Sequence, residues 1–167
     1  MMAWFWVLFA VVFTFGFVVF RGAPYLPSHR RYVKLALTKL YKLKSSDILV
    51  DLGSGDGVIL RLATSYGARA IGYELNPVLV FVSRILAVGD KRQTTKLADM
   101  WLIDFPADTT VVYVFSVSRD SEKLANKLRN HVKKHGQPLL CITYGAGLRG
   151  VKPVKKLHAH DLYLFEP

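Results

Sequence analysis

Asp47-Ile-Leu-Val-Asp-Leu-Gly-Ser-Gly-Asp-Gly57 constrains this chain more than any other stretch. An apolar run ends in an acidic residue. Gly53, Gly55 and Gly57 follow at alternate positions, and a helical pattern begins at Val58. The run reads as a buried parallel strand, the glycines as a tight turn, and the rest as a helix start. Glycine serves where backbone turns sharply or lies against a ligand, because it has no Cβ. A helix N-terminus behind such a turn offers N–H groups to a polar ligand.

The chain on either side alternates between strand and helix patterns. Ser28 is a candidate N-cap for a helix to Lys44, with Val33, Leu37, Leu40 and Tyr41 on its apolar face. After the glycine turn come a helix to Tyr66 and a strand over Ala70–Glu74. Asn76 and Pro77 open a helix over Val78–Val88, apolar on most sides and expected to be well buried. Thr94–Ala98 reads as a third strand, and Asp99–Asp108 as a loop with one helical turn. Thr110–Ser116 has the β-branched and aromatic run of a central parallel strand. A helix to His135 stops at Gly136, Leu139–Thr143 is a fifth strand, and Gly145–Gly150 is a flexible loop. Val154–Leu157 and Leu162–Phe165 suit a closing antiparallel hairpin. This order predicts an α/β, Rossmann-like sheet, mostly parallel, with helices on both faces.

Met1–Phe20 carries no charge, and about 20 apolar residues span a bilayer core. It reads as a transmembrane anchor; a cleaved signal peptide fits less well, since no basic n-region precedes the run. Seven basic residues between Arg21 and Lys44 place the remainder on the cytoplasmic side by the positive-inside rule. The expected organisation is an anchor over 1–20, a linker and pre-domain helix over 21–45, and a ligand-binding domain over 46–167. The expected localisation is single-pass membrane with a cytoplasmic domain, or the mitochondrial inner membrane facing the matrix. The chain holds 23 Lys and Arg against 12 Asp and Glu, a net charge of +11. That charge is dispersed and lacks an aromatic-rich binding strand, so no nucleic-acid partner is expected. The single cysteine, Cys141, excludes an intramolecular disulfide framework and a cysteine-cluster metal site. His158-x-His160 reads as a solvated hairpin turn, and no metal is expected.

The ligand is narrowed by spacing. A dinucleotide fingerprint needs Gly-x-Gly-x-x-Gly, but Val58 occupies the third glycine's place. No Gly-Lys-Ser/Thr follows, so the phosphate-binding Walker pattern fails as well. Acidic-x-Gly-x-Gly-x-Gly after the first strand resembles the class I S-adenosylmethionine-dependent methyltransferases. Glu74 ends the second strand, where a carboxylate can accept from both ribose hydroxyls. Asp99 ends the third, where the superfamily often contacts the adenine amino group. The resemblance gives Asp51 a place in the methionine-side pocket.

A narrower resemblance rests on the apolar N-terminal run, Pro24-Tyr-Leu-Pro-Ser28, Val50-Asp-Leu-Gly-Ser-Gly-Asp-Gly57, Gly72-Tyr-Glu-Leu-Asn-Pro77 and Asp99-Met-Trp101. Together they are similar to the membrane-anchored protein-lysine methyltransferases that modify the mitochondrial adenine nucleotide translocase and ATP synthase c-subunit, a family with prokaryotic relatives. The resemblance implies S-adenosyl-L-methionine as cofactor. It implies Asp51, Gly53, Gly55, Gly57, Glu74, Asn76, Asp99 and Trp101 as its binding residues. Tyr25, Pro27, Ser116 and Tyr144 are candidates for the acceptor site. Val114-Phe-Ser-Val-Ser118 lacks the proline that relatives place after the valine. It also lacks the Asn/Asp-Pro-Pro-Tyr pattern of enzymes that methylate base or glutamine amino groups.

The implied reaction is methyl transfer to a lysine of a membrane-associated protein, with no obligatory catalytic base. Two alternatives stand beside it. One is methylation of a small membrane-associated acceptor, a lipid amine or a quinone. The other is a membrane-tethered cofactor-binding module without catalysis.

Overall fold

The computed structural model describes Trp4, Trp6 and residues 30–167. Helix α1 (Arg30–Leu35) runs directly into a π-helical turn, Ala36–Leu40. The wide turn is closed by Tyr41 N–H, which donates to the Ala36 carbonyl at 2.9 Å. There follow β1 (Ile48–Leu52), α2 (Val58–Ser65), β2 (Arg69–Glu74), α3 (Pro77–Leu86) and β3 (Gln93–Leu97). Next come β4 (Val111–Ser116), a 3₁₀ turn (Ser118–Asp120) and α4 (Ser121–His135). The described chain closes with β5 (Leu139–Gly145), β6 (Lys155–Leu157) and β7 (His160–Phe165).

The strands form one sheet in the order β3-β2-β1-β4-β5-β7-β6. The pairs among β1 to β5 are parallel, and β7 pairs antiparallel with both β5 and β6. The order reverses between β1 and β4, which makes a crevice beyond the carboxyl ends of those two strands. β4 lies at the middle of the sheet, as its run of Val, Tyr and Phe requires.

Both faces are covered. Val33, Leu37 and Leu40, with Ile59, Leu60 and Ala63 of α2, pack over Leu49, Ala70, Tyr113 and Ile142. On the other face Leu124, Leu128 and Val132 of α4 join Phe105 over Val50, Ile71, Val112 and Cys141. Each large apolar side chain buried this way contributes about 1.5–3 kcal/mol. Asp47, at the start of β1, ties the layers at the edge away from the crevice. It accepts from Lys44 N–H at 2.7 Å and from the hydroxyls of Tyr41 and Thr110 at about 3.0 Å. Burial and the Asp47 charge push the Tyr41 phenol up to about 12.

Four expectations need correction. The α3 region is not well buried: only Val80 and Ser83 of the helix are, and Phe81 and Ile85 are more than half exposed. This helix packs across β2 and the edge strand β3, and among the described residues no second layer reaches its outer side. The loop after β3 holds hydrogen-bonded turns, at Asp99–Leu102 and Pro106–Thr109, instead of a turn of helix. The hairpin turn is solvated at His158 but not at His160, which is buried and bonded to the Tyr113 hydroxyl at 2.7 Å.

The fourth correction concerns the membrane. Among the described residues no helix is long and apolar enough to cross a bilayer, so the single-pass localisation is not sustained. The stretch Met1–Phe20 on which it rested lies outside the described residues except for Trp4 and Trp6, and so does the Ser28 cap.

Candidate active site

The glycine turn hangs over the end of β2. Gly53 and Ser54 both donate to the Tyr73 carbonyl, at 2.8 and 3.1 Å. Gly53, Gly55 and Gly57 all have positive φ, between 54° and 84°. Gly57 has a further reason to be glycine, since a Cβ there would run into the Ser83 hydroxyl. Gly72 is glycine because of close approach. A Cβ at this strand position would lie 2.6 Å from Ser54 Cβ and 2.7 Å from Leu60 Cδ1. The turn sits down on β2 only because that Cβ is absent.

Glu74 holds the turn from below. Its Oε2 accepts from Gly55 N–H and its Oε1 from Asn76 N–H, each at 2.8 Å. A carboxylate oxygen has two lone-pair sites, so both oxygens keep capacity to accept from a ligand hydroxyl. Asn76 caps α3 by accepting from Val78 and Leu79 N–H, and its own Nδ2 is buried without a partner. Asp51, at the end of β1, is almost wholly buried, and its Oδ2 also has no partner. Burial first, then the negative charges of Glu74 and Asp56, raises its pKa well above the ordinary carboxylate value. Asp56 points elsewhere: it accepts from Val58 N–H at the start of α2 and pairs with Arg61 at 3.1 Å.

Asp99 follows β3, and Ala98 N–H beside it donates to the Glu74 carbonyl at 2.9 Å. The Asp99 carboxylate accepts from Trp101 N–H at 2.9 Å, which folds the Asp99–Leu102 turn back toward β4. Lys123 of α4 lies over the Trp101 ring, 4.2 Å from its centroid. Beside this turn opens a pocket of about 330 Å³, part of it open to solvent. Met100, Trp101, Phe115, Ser116, Val117 and Asp120 are among its lining residues. The Ser116 hydroxyl is buried there without a partner. Tyr144 meets the pocket through Phe115, whose ring centroid is 5.7 Å from its own. Behind Tyr144 stands His160, 4.8 Å away, its imidazole pushed down to about 4 chiefly by burial.

The structure therefore gathers Asp51, Glu74 and Asn76 around the turn of Gly53, Gly55 and Gly57, with Asp99 and Trp101 on the loop after β3. Ser116 lies across the pocket from Trp101, and Tyr144 stands one ring further out. Tyr25 and Pro27 lie outside the described residues. Sequence reasoning passed over the support beneath the turn: Gly72 and the buried Ser83–Thr95 hydroxyl pair, 2.7 Å apart. Gly72 had a usable signal, because an isolated glycine inside a strand marks close backbone approach. The hydroxyl pair had none, since it forms between a helix and a strand.

These groups suit a ligand that carries positive charge and hydroxyls. Asp51 is a buried carboxyl with an unpartnered Oδ2, and Glu74 is a carboxylate with acceptor capacity left beside the turn. Gly53 leaves open space where a side chain would stand, with nothing within 4 Å of an added Cβ. The family model of the ANTKMT methyltransferase domain matches residues 51–155. The chain belongs to this family. Its cofactor is S-adenosyl-L-methionine, and its sheet is that of a class I methyltransferase.

An ATP synthase c-subunit lysine N-methyltransferase from Xenopus laevis is 36% identical over 121 residues, which cover 71% of this chain and 52% of that protein. A human protein of the same description is covered to 51%, so the chain spans about half the length of these relatives. A protein-lysine N-methyltransferase from Saccharolobus islandicus is 27% identical over 144 residues, covering 83% of this chain and 86% of that one. Among solved structures, an RNA methyltransferase from Salinibacter ruber in complex with S-adenosyl-L-homocysteine superposes with a TM-score of 0.71. The identity there is 27%, over 84% of this chain and 93% of that one.

Proposed function

We propose that this chain is a protein-lysine N-methyltransferase. The observation that carries the reading is the buried Asp51 carboxyl beside the Glu74-held glycine turn, within a domain whose protein-lysine relatives match over most of the chain. Asp51, Gly53, Gly55, Gly57, Glu74, Asn76, Asp99 and Trp101 hold the cofactor in this reading. When bound, S-adenosylmethionine supplies a methyl group already activated on a sulfonium, so the protein's task is chiefly positioning. Asp51 complements positive charge on the methionine side, which returns its own carboxyl to the ionised form. Glu74 accepts from hydroxyls while it fixes the turn. Met100 and Trp101 offer apolar surface for a flat ring.

On the acceptor side, a lysine amine has an ordinary pKa of about 10.4 and attacks only when neutral. The apolar side chains of Phe115 and Val117 disfavour the ammonium form, and the Asp120 carboxylate in the same lining is partly offset by its pair with Arg119 at 3.2 Å. Ser116 offers a buried hydroxyl to orient the amine. Tyr25 and Pro27, outside the described residues, are acceptor-side candidates by the family resemblance alone. The first acceptor to try is an ATP synthase c-subunit, by the description of the relatives.

A second reading is RNA methylation, favoured by the Salinibacter structure and the net charge of +11. The end of β4 counts against it, because Ser116-Val117-Ser118 lacks the Asn/Asp-Pro-Pro-Tyr pattern. Incubating the full chain with methyl-labelled cofactor, membrane protein, RNA and lipid fractions separates the readings. Label in methyl-lysine peptides supports the proposal. Label in RNA or lipid with none in protein overturns it.

A further inference from the structure

The outer face of α3 is apolar, and no other element among the described residues covers it. Val78, Phe81 and Ile85 recur at the three- and four-residue spacing of one helix side, and Val88 follows in the turn after the helix. Phe81 is 64% exposed, Ile85 53% and Val88 85%. Leu86 and Leu97 add exposed apolar surface on the same helix and on the edge strand β3. The inward side is spent on Val80 and on Ser83, which bonds Thr95. Large contiguous apolar surface of this kind marks an interaction site.

The charges around it select the partner. Along the helix and the turn after it Arg84, Lys91 and Arg92 are exposed, against a single acidic residue, Asp90, which pairs with Arg92 at 3.3 Å; Lys96 turns to the other face of the sheet, over the Tyr73 ring. Arg84 is pinned at the rim by its Nε–H, which donates to the Thr95 carbonyl at 3.0 Å. A second copy of the chain would set one basic rim against another, and like-charge juxtaposition opposes that contact. An apolar stripe with a cationic rim matches the plane where headgroups meet acyl chains in an anionic bilayer.

We infer that the outer face of α3 is a peripheral docking surface for an anionic lipid bilayer, with Phe81, Ile85 and Val88 entering the interface and Arg84, Lys91 and Arg92 meeting headgroups. This is a contact along a surface and requires no membrane-crossing helix. It stands independently of the methyl-transfer reading. Because Asn76 caps the start of α3, docking would keep the rim of the glycine turn near the headgroups.

The test is local to the helix and uses the full chain. Cys141, the only native cysteine, is buried, so Ile85→Cys and Asn130→Cys each take a single environment-sensitive dye at the new position. Asn130 is exposed on α4, across the sheet. With vesicles of phosphatidylcholine and phosphatidylglycerol, the dye at Ile85 is expected to shift to the blue and to be quenched by lipid-borne nitroxides. The dye at Asn130 is expected to stay in water. Adding Phe81→Asp, with folding checked by circular dichroism, should return the Ile85 dye to its water value. No change at Ile85 on adding vesicles would overturn the inference. Equal insertion into pure phosphatidylcholine would overturn its anionic part. A blue shift that needs no lipid and grows with protein concentration would assign the face to a second copy instead.

Discussion

The two halves of the sheet are built to different ends. In the half made of β1, β2 and β3, polar backbone and side chains meet at one turn: Gly55 on Glu74, Ser54 on Tyr73, Asn76 on the start of α3. Its outer helix, α3, is rich in apolar residues yet buries only two. In the half made of β4 to β7, the helix α4 is mostly polar yet buries six residues, among them Leu124, Leu128 and Val132. Composition thus misjudges both helices. What buries a helix is the layer against it, and α4 lies over the centre of the sheet while α3 lies at its edge. The first half carries the proposed cofactor site, and the second holds much of the core.

Four measurements sharpen or break that division, beginning with the largest effect. Leu128→Ala removes a fully buried side chain and should cost about 2–5 kcal/mol in denaturant unfolding. Cofactor affinity of the folded fraction should be nearly unchanged; a large loss there would show that the halves are not separate. Glu74→Ala should weaken cofactor binding by about 1–3 kcal/mol in calorimetry, since it removes an acceptor and frees two N–H groups of the turn. Wild-type affinity in this variant would remove Glu74 from the site.

The third is pH dependence in the second half. His160 has a folded-state pKa of about 4 against an ordinary 6.5, so the unfolded chain binds the extra proton first. Its contribution is complete above pH 6.5 and is lost as pH falls toward 4. Comparing unfolding free energies of the wild type and His160→Gln across that window isolates this slope from the opposing one of Asp51. An identical pH slope in both proteins would show that His160 is not buried as a neutral ring. The smallest effect is expected at α3, where Ile85→Ser should stay within about 0.5 kcal/mol of wild-type stability. A cost like that of Leu128→Ala would mean that something covers this face in the free protein.

Much of the site was legible because its signals are local. Gly53, Gly55 and Gly57 sit two residues apart, and positive φ demands such residues whatever the rest of the chain does. Asn76 reads as a cap from its place before Pro77, and the structure shows it capping α3. Gly136 likewise ends α4 with a φ of 66°. The strand pattern was enough for an α/β sheet, since β4 can only be a buried central strand. The unread parts depend on partners distant in the chain. Gly72 matters through Ser54 and Leu60, Asp51 through burial beside Glu74, and His160 through Tyr113 on a strand that is not its neighbour in the sequence.

Short-range backbone chemistry and apolar periodicity, carried by the sequence alone, determined the sheet class, the glycine turn and the carboxylates at the strand ends. Tertiary structure decided which apolar surface is core and which is left to face a partner. Burial is a property of the neighbouring layer, and Phe81 and Leu128 occupy similar helical patterns with opposite outcomes. It also decided the protonation preference of Asp51, because burial, with the charges of Glu74 and Asp56 nearby, favours its neutral form.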